Sequence, residues 1–211
     1  MIRLLYCKVS QINNDCLPEY LNVLPAFMRS EIVRYKNLTD QKCRLASRLM
    51  LLHAMKQTGA EALLPQWKRD ENNKPFIEPW EHFNISHSGE LVLFASGGKP
   101  LGVDVEKKIP VDHLQMSAFL HPEEQAFIRM SNDSLASFYK IWVKKEALLK
   151  ALGTGIVSGL SQFNCLKDTV NSGSIEWYFY EFTVDHQYSS CICSPEKEAA
   201  IIIEEFLPNN C

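Results

Sequence analysis

Ser134-Leu135-Ala136-Ser137-Phe138-Tyr139-Lys140-Ile141-Trp142-Val143-Lys144-Lys145-Glu146-Ala147-Leu148-Leu149-Lys150-Ala151-Leu152-Gly153 is a helical pattern closed by a glycine. At ~100° per residue, Leu135, Phe138, Ile141, Trp142, Leu148, Leu149 and Leu152 share one broad apolar face. Lys145 falls near the middle of that face, Glu146 at its edge, and Lys150 one turn beyond Glu146. A lysine centred on an apolar stripe must snorkel to water or meet a carboxylate, because an unpaired buried ammonium is costly. The plainer alternative for the other two charges is a surface Glu146–Lys150 pair, worth only ~0.3–0.5 kcal/mol.

Working outward, Pro122 followed by Glu123 and Glu124 starts a shorter helix, with proline at the first position and acids at the positive dipole end. After Gly153 come strand-like runs at Ser161–Leu166, Ile175–Phe182, Tyr188–Cys193 and Ala199–Phe206. The first half has the same order. Ile2–Val9 reads as a strand, Pro18–Leu24 and Ser30–Lys36 as short helices, and a long helix runs from a Thr39 or Asp40 cap to Gly59. Phe83–Ser86, Leu91–Ser96 and Leu101–Glu106 then read as successive antiparallel strands. Helices followed by strands, twice over, predict an α+β fold of two similar lobes meeting along a cleft, divided into residues 1–100 and 101–211.

The chain has 211 residues, 46% hydrophobic and 22% charged, with a net charge of −3. That is ordinary for a globular protein, and no global field draws it to nucleic acid or a membrane surface. The start, Met1-Ile2-Arg3-Leu4-Leu5-Tyr6, lacks a long apolar core, and no stretch approaches the ~20 apolar residues of a membrane span. The seven cysteines include no Cys-x-x-Cys pair, which predicts buried free thiols in a reducing cytoplasm.

Three further stretches can carry chemistry. In Gly102-Val103-Asp104-Val105-Glu106, strand alternation projects Asp104 and Glu106 to one side while the valines pack inward. The pair is either a solvated strand face or half of an oxygen-ligand site for a hard cation. In Asn84-Ile85-Ser86-His87-Ser88-Gly89, a small polar tip offers the Ser86 hydroxyl, the His87 imidazole and main-chain N–H groups to an anion. His87 can equally be a turn histidine bonded to its own backbone. Asn72-Asn73-Lys74-Pro75 is a turn carrying a lysine.

In order, Lys74-Pro75, Phe83-Asn84-Ile85-Ser86-His87-Ser88, Gly102-Val103-Asp104-Val105-Glu106 and Trp142-Val143-Lys144-Lys145-Glu146-Ala147, with Lys150 and Gly153, resemble the Sfp-type 4′-phosphopantetheinyl transferases. The resemblance covers about Asp40 to Gly155. It implies a pseudo-dimer of two α+β lobes with coenzyme A in the cleft. It further implies Mg²⁺ held by Asp104, Glu106 and Glu146, and catalytic roles for Glu146, Lys150 and Asp104. Lys150 would contact the coenzyme A phosphates, Lys74 and His87 its 3′-phosphate side, and Arg48 the nucleotide, with Glu124 a further family acid. Many members carry Asp-x-x-Arg at the start of the long helix, whereas Cys43 stands three after Asp40 here; Arg44 or Arg48 would substitute. The implied partners are coenzyme A and an apo acyl or peptidyl carrier protein, with no nucleic acid or membrane and a monomeric, cytoplasmic enzyme. A metal-dependent nucleotide phosphohydrolase and an inactive carrier-binding module are the rival readings of the same residues.

Overall fold

The computed structural model of the chain describes residues 1–155 and 160–208. Its first sheet is built from β1 (Ile2–Lys8), β4 (His82–Ser88), β5 (Leu91–Gly97) and β10 (Ile201–Glu205), in the order β10-β1-β5-β4. β1 runs antiparallel to β5 and parallel to β10, so Ile2 faces Ile201 across the ladder. Between β1 and β4 lie the helices α1 (Leu17–Asn22), α2 (Ala26–Val33) and α3 (Leu38–Gln57), then the short strands β2 (Lys68–Arg69) and β3 (Pro75–Phe76). The α3 cap is Asn37, whose side chain accepts the Thr39 and Asp40 N–H groups at 2.8 and 3.2 Å, two residues before the expected Thr39. β2 and β3 pair around the Asn72-Asn73 turn, where Asn73 takes a positive φ of 63°.

The second sheet contains β6 (Gly102–Lys107), β7 (Thr169–Ser172), β8 (Ile175–Glu181) and β9 (Tyr188–Ser194), in the order β6-β9-β8-β7. Helices α4 (His113–Ser117), α5 (Pro122–Met130) and α6 (Ser134–Leu152) connect β6 to β7. α6 has the bounds its apolar spacing predicts, and Gly153 stops it in the left-handed conformation at φ 72°. Two expectations are corrected. Residues 161–166 form no strand, the sheet edge being Thr169–Ser172 instead. β6 does not extend the β4–β5 hairpin but pairs with β9 in the other sheet. Local alternation marks a strand, whereas its partner is chosen by contacts far away in sequence.

Strand alternation explains how the layers stack. On β1 and β5, Leu5, Cys7, Val92 and Phe94 face the core under α3, while Ile2, Leu4, Leu91, Leu93 and Ala95 face the second sheet. There they meet Leu101, Val103, Val105 and Ile192 in one apolar cluster shared by both sheets. All seven residues of β5 are therefore buried. The opposite face of the second sheet, with Cys191 and Cys193, packs on α6. Asp104 is in register with Cys191, so β6 turns its carboxylates toward α6. Cys7, Cys43, Cys165, Cys191 and Cys193 are free and buried, as expected, but Cys16 is disulfide-bonded, which corrects the expectation of thiols throughout. Cys211 lies outside the described residues. Among the described residues, no helix is long and apolar enough to cross a membrane.

Candidate active site

The site begins with a close approach of two backbones. A Cβ on Gly102 would stand 2.0 Å from the Ala147 carbonyl oxygen and 2.5 Å from the Ala151 nitrogen. Only glycine lets α6 lie this near to β6, and the approach brings Lys150 and Glu146 over Asp104. The second support comes from β4. As an edge strand, β6 has N–H groups turned away from β9, and such groups need partners when buried. The side chains of Asn84, Ser86 and Ser88 accept them: Val103 N–H at 2.9 Å, Val105 N–H at 3.4 Å and Lys107 N–H at 3.0 Å. Alternate residues of one strand thus stand in for the missing ladder.

The same hydroxyls hold the acids. Ser86 Oγ donates to Asp104 Oδ1 and Ser88 Oγ to Glu106 Oε2, each at 2.8 Å. Lys150 Nζ donates to Asp104 Oδ1 at 2.5 Å and to Ser86 Oγ at 3.0 Å. Lys150 therefore pairs with Asp104 on the strand beneath α6 and not with Glu146 along its own helix. Asp104 is only 2% exposed. Burial raises its pKa, with Lys150 and Ser86 opposing the rise. Burial also raises the Glu106 pKa, with repulsion from Asp104 adding to it. The Glu146 carboxyl is pushed up to about 7 by burial and then by Asp104 and Glu106, against the pull of Lys150. Asp104 Oδ2 and Glu146 Oε1 are buried without a hydrogen-bond partner among the described residues.

Those orphaned oxygens, in a group of acids that destabilise one another's charge, fit a hard cation. Among the described residues, however, no three His, Cys, Asp or Glu side chains converge as a ready ligand set, and the positive charge on Asp104 is that of Lys150.

A cavity of about 250 Å³ opens beside Lys150, lined by Arg44, Arg48, Trp67, Arg69, Ser86 and His87 among others. The Arg48 guanidinium stacks 4.2 Å from the Trp67 ring centre, and that of Arg44 lies 5.0 Å from Tyr35. Burial, opposed by Glu31 and reinforced by Arg69 and Arg44, brings the Arg48 pKa down to about 10. Its Nε is buried without a partner. His87 is held below the ordinary histidine range by enclosure and then by Arg44 and Lys150. The wall is thus rich in unspent donors and positive charge, a site for an anion of several charges.

The structure brings Arg44, Arg48, Ser86, His87, Asp104, Glu106, Glu146 and Lys150 together. It sets Lys74 apart. Its Nζ donates to the carbonyls of Lys150 at 2.6 Å and of Leu101 and Ala151 at 3.3 Å, capping the C-terminal end of α6. Ser86 likewise has a duty unread in the sequence, since its hydroxyl is occupied by Asp104, Lys150 and the β6 backbone. Lys145 finds its carboxylate: Nζ lies 2.9 Å from Glu124 Oε2, both side chains at most 1% exposed, and Glu124 Oε1 accepts the Cys165 N–H at 2.7 Å. Sequence reasoning missed Trp67, Arg69 and Glu31; the aromatic-basic run Trp67-Lys68-Arg69 was the available signal.

Comparison with known proteins finds relatives along most of the chain. Residues 100–203 match the family profile described as the 4′-phosphopantetheinyl transferase superfamily, and residues 13–99 match the profile of a 4′-phosphopantetheinyl transferase N-terminal region. The 4′-phosphopantetheinyl transferase gsp of Aneurinibacillus migulanus is 30% identical over 172 residues, 77% of this chain and 70% of that protein. The 4′-phosphopantetheinyl transferase psf-1 of Bacillus pumilus is 27% identical over 191 residues, 83% of this chain and 81% of its own length. The 4′-phosphopantetheinyl transferase Sfp of Bacillus subtilis (strain 168) is 30% identical over 158 residues, 67% and 70% respectively.

Proposed function

We propose that this chain, which belongs to the 4′-phosphopantetheinyl transferase superfamily, moves the phosphopantetheine of coenzyme A onto a serine hydroxyl of an apo acyl or peptidyl carrier protein. The observation that carries the reading is the junction at Asp104. There a buried acid, its unpartnered oxygen and Lys150 adjoin a cation-lined cavity of about 250 Å³. Arg44 and Arg48 hold the nucleotide, and His87 and Lys150 face its phosphates.

In the transfer, the serine oxygen bonds to the phosphorus next to pantetheine, and the bond from that phosphorus to the bridging oxygen breaks. The electron pair leaves on 3′,5′-ADP. Lys150, moving from Asp104 to the phosphoryl oxygens, balances the developing charge. Glu146 takes the serine proton, a role typically worth ~10²–10⁴ in rate. Asp104, Glu106 and Glu146 would hold Mg²⁺, which when bound neutralises pyrophosphate oxygens. Glu106 also lines a more apolar cavity of about 300 Å³, with Ile109, Val111, Met116, Phe138 and Trp142 among others. It suits the uncharged pantetheine arm. Because one chain supplies both sides of the cleft, the same reading makes the enzyme a monomer.

The test is intact-protein mass spectrometry of an apo carrier protein incubated with the chain, coenzyme A and Mg²⁺, with an EDTA control. A mass gain equal to phosphopantetheine, abolished by EDTA, is the expected result. Hydrolysis of coenzyme A with no gain across a panel of carriers would make the chain a phosphohydrolase.

A further inference from the structure

The cationic wall contains one carboxylate that the transfer reaction does not use. Glu31, on α2, places Oε2 3.3 Å from Arg69 Nη2 and 3.7 Å from Arg48 Nη2. It stands in an outer cavity of about 380 Å³ with Arg34 and Tyr35, which shares Arg44, Arg48 and Arg69 with the inner cavity beside Lys150. Among the described residues, those lining the inner cavity include no acid. Glu31 thus pairs with two of the three arginines named for both spaces.

The contact is half-made. Glu31 is 39% exposed, whereas Arg48 is 6% exposed, so the acid sits at the solvent side of a buried cation. One oxygen serves two guanidiniums, each with five N–H donors. Arg48 Nε remains without a partner. Arg48 is held in place independently of Glu31, by Trp67 at 4.2 Å and by Ser47 Oγ at 3.2 Å from Nη1. At Arg48, Glu31 therefore subtracts charge without being needed to hold the guanidinium.

We infer that Glu31 is an internal competitor for the phosphates of the nucleotide, weakening the grip of Arg48 and Arg69 so that the nucleotide product is released. The inference rests on the transferase reading. Coenzyme A enters and 3′,5′-ADP leaves carrying the same nucleotide phosphates, so a wall that held them as tightly as its arginines allow would hold substrate and product alike. Such uniform binding adds nothing to turnover once the site is filled, and it slows product release.

The experiment is isothermal titration calorimetry of 3′,5′-ADP and of coenzyme A into the wild-type chain, Glu31→Gln and Glu31→Asp. Removing one partly exposed negative charge several ångströms from a phosphate should tighten 3′,5′-ADP binding about fivefold in Glu31→Gln, with a steeper loss on adding salt. Glu31→Asp, which keeps the charge, should stay near wild type. Unchanged or weaker binding by Glu31→Gln would sink the inference and leave Glu31 as a support for the arginines. A wild-type chain that binds neither ligand would instead overturn the transferase reading, and this inference with it.

Discussion

The site has two halves made in different ways. Around Asp104, the frame is fixed through main chain: Gly102 against the α6 backbone, and Asn84, Ser86 and Ser88 against the β6 N–H groups. Around Arg48, long side chains lean on rings, Arg48 on Trp67 and Arg44 on Tyr35, and one acid is shared between guanidiniums. The first half sets positions and the second sets charge. Chemistry needs atoms held to a fraction of an ångström, whereas holding a nucleotide needs donors and potential that tolerate adjustment.

On that division, the largest effect should come from a residue with no side chain. Gly102→Ala drives a methyl into the Ala147 carbonyl, so we expect a loss of about 3 kcal/mol and a Tm lower by roughly 6–12 °C. Transfer should fall with it even below the melting range. Calorimetry with activity measured at 15 °C checks both, and an active, stable variant would show that α6 can retreat freely.

Next in size, Glu146→Gln should cut transfer ~10²–10⁴-fold while coenzyme A binding stays within a few-fold, read by single-turnover kinetics and calorimetry. The same variant tests the electrostatics. A Glu146 pKa raised to about 7 in the folded chain means that the metal-free protein loses stability as pH rises from the unfolded value near 4.5 to about 7, and levels off above. In EDTA, Glu146→Gln should flatten that decline and be more stable than wild type at pH 8; a parallel pH profile would refute the shift.

Arg48→Ala should raise the coenzyme A requirement about tenfold and barely change the saturated rate. A loss at saturation would blur the two halves, placing Arg48 in the chemistry. Smallest, Ser88→Ala removes a donor to Glu106 and the acceptor of Lys107 N–H. It should cost ~1 kcal/mol in denaturant unfolding. A cost near zero would mean that β6 does not depend on its substitute ladder.

The sequence made some of this legible and hid the rest. α6 could be read to its last residue because helical spacing, an interior lysine and a closing glycine are all local signals. The facing of Asp104 and Glu106 followed from strand alternation. What could not be read was sheet membership: β6 follows β5 closely in sequence yet pairs with β9, because the shared apolar cluster decides which edge it joins. Ser161–Leu166 has the composition of a strand, but its backbone instead serves Glu124 and Lys145. The pattern Asn84-x-Ser86-x-Ser88 looked like a polar tip offering donors to a ligand. Its main work is accepting from an edge strand, a role visible only once β6 lies alongside.

The parallel pairing of β1 with β10 bears on how the protein comes to exist. β1 is interior to the first sheet, yet one of its neighbours lies some two hundred residues away, Ile2 opposite Ile201. A ribosome extruding the first hundred residues therefore presents β1 with an open flank of unpaired amides and carbonyls until the second lobe has been synthesised. Such a contact is slow to find and exposes the nascent chain to wrong pairings in the interval. The two lobes are consequently not interchangeable cassettes: a first lobe expressed by itself would lack the strand that closes its sheet, and complementation between halves would require the second half to bring β10 with it.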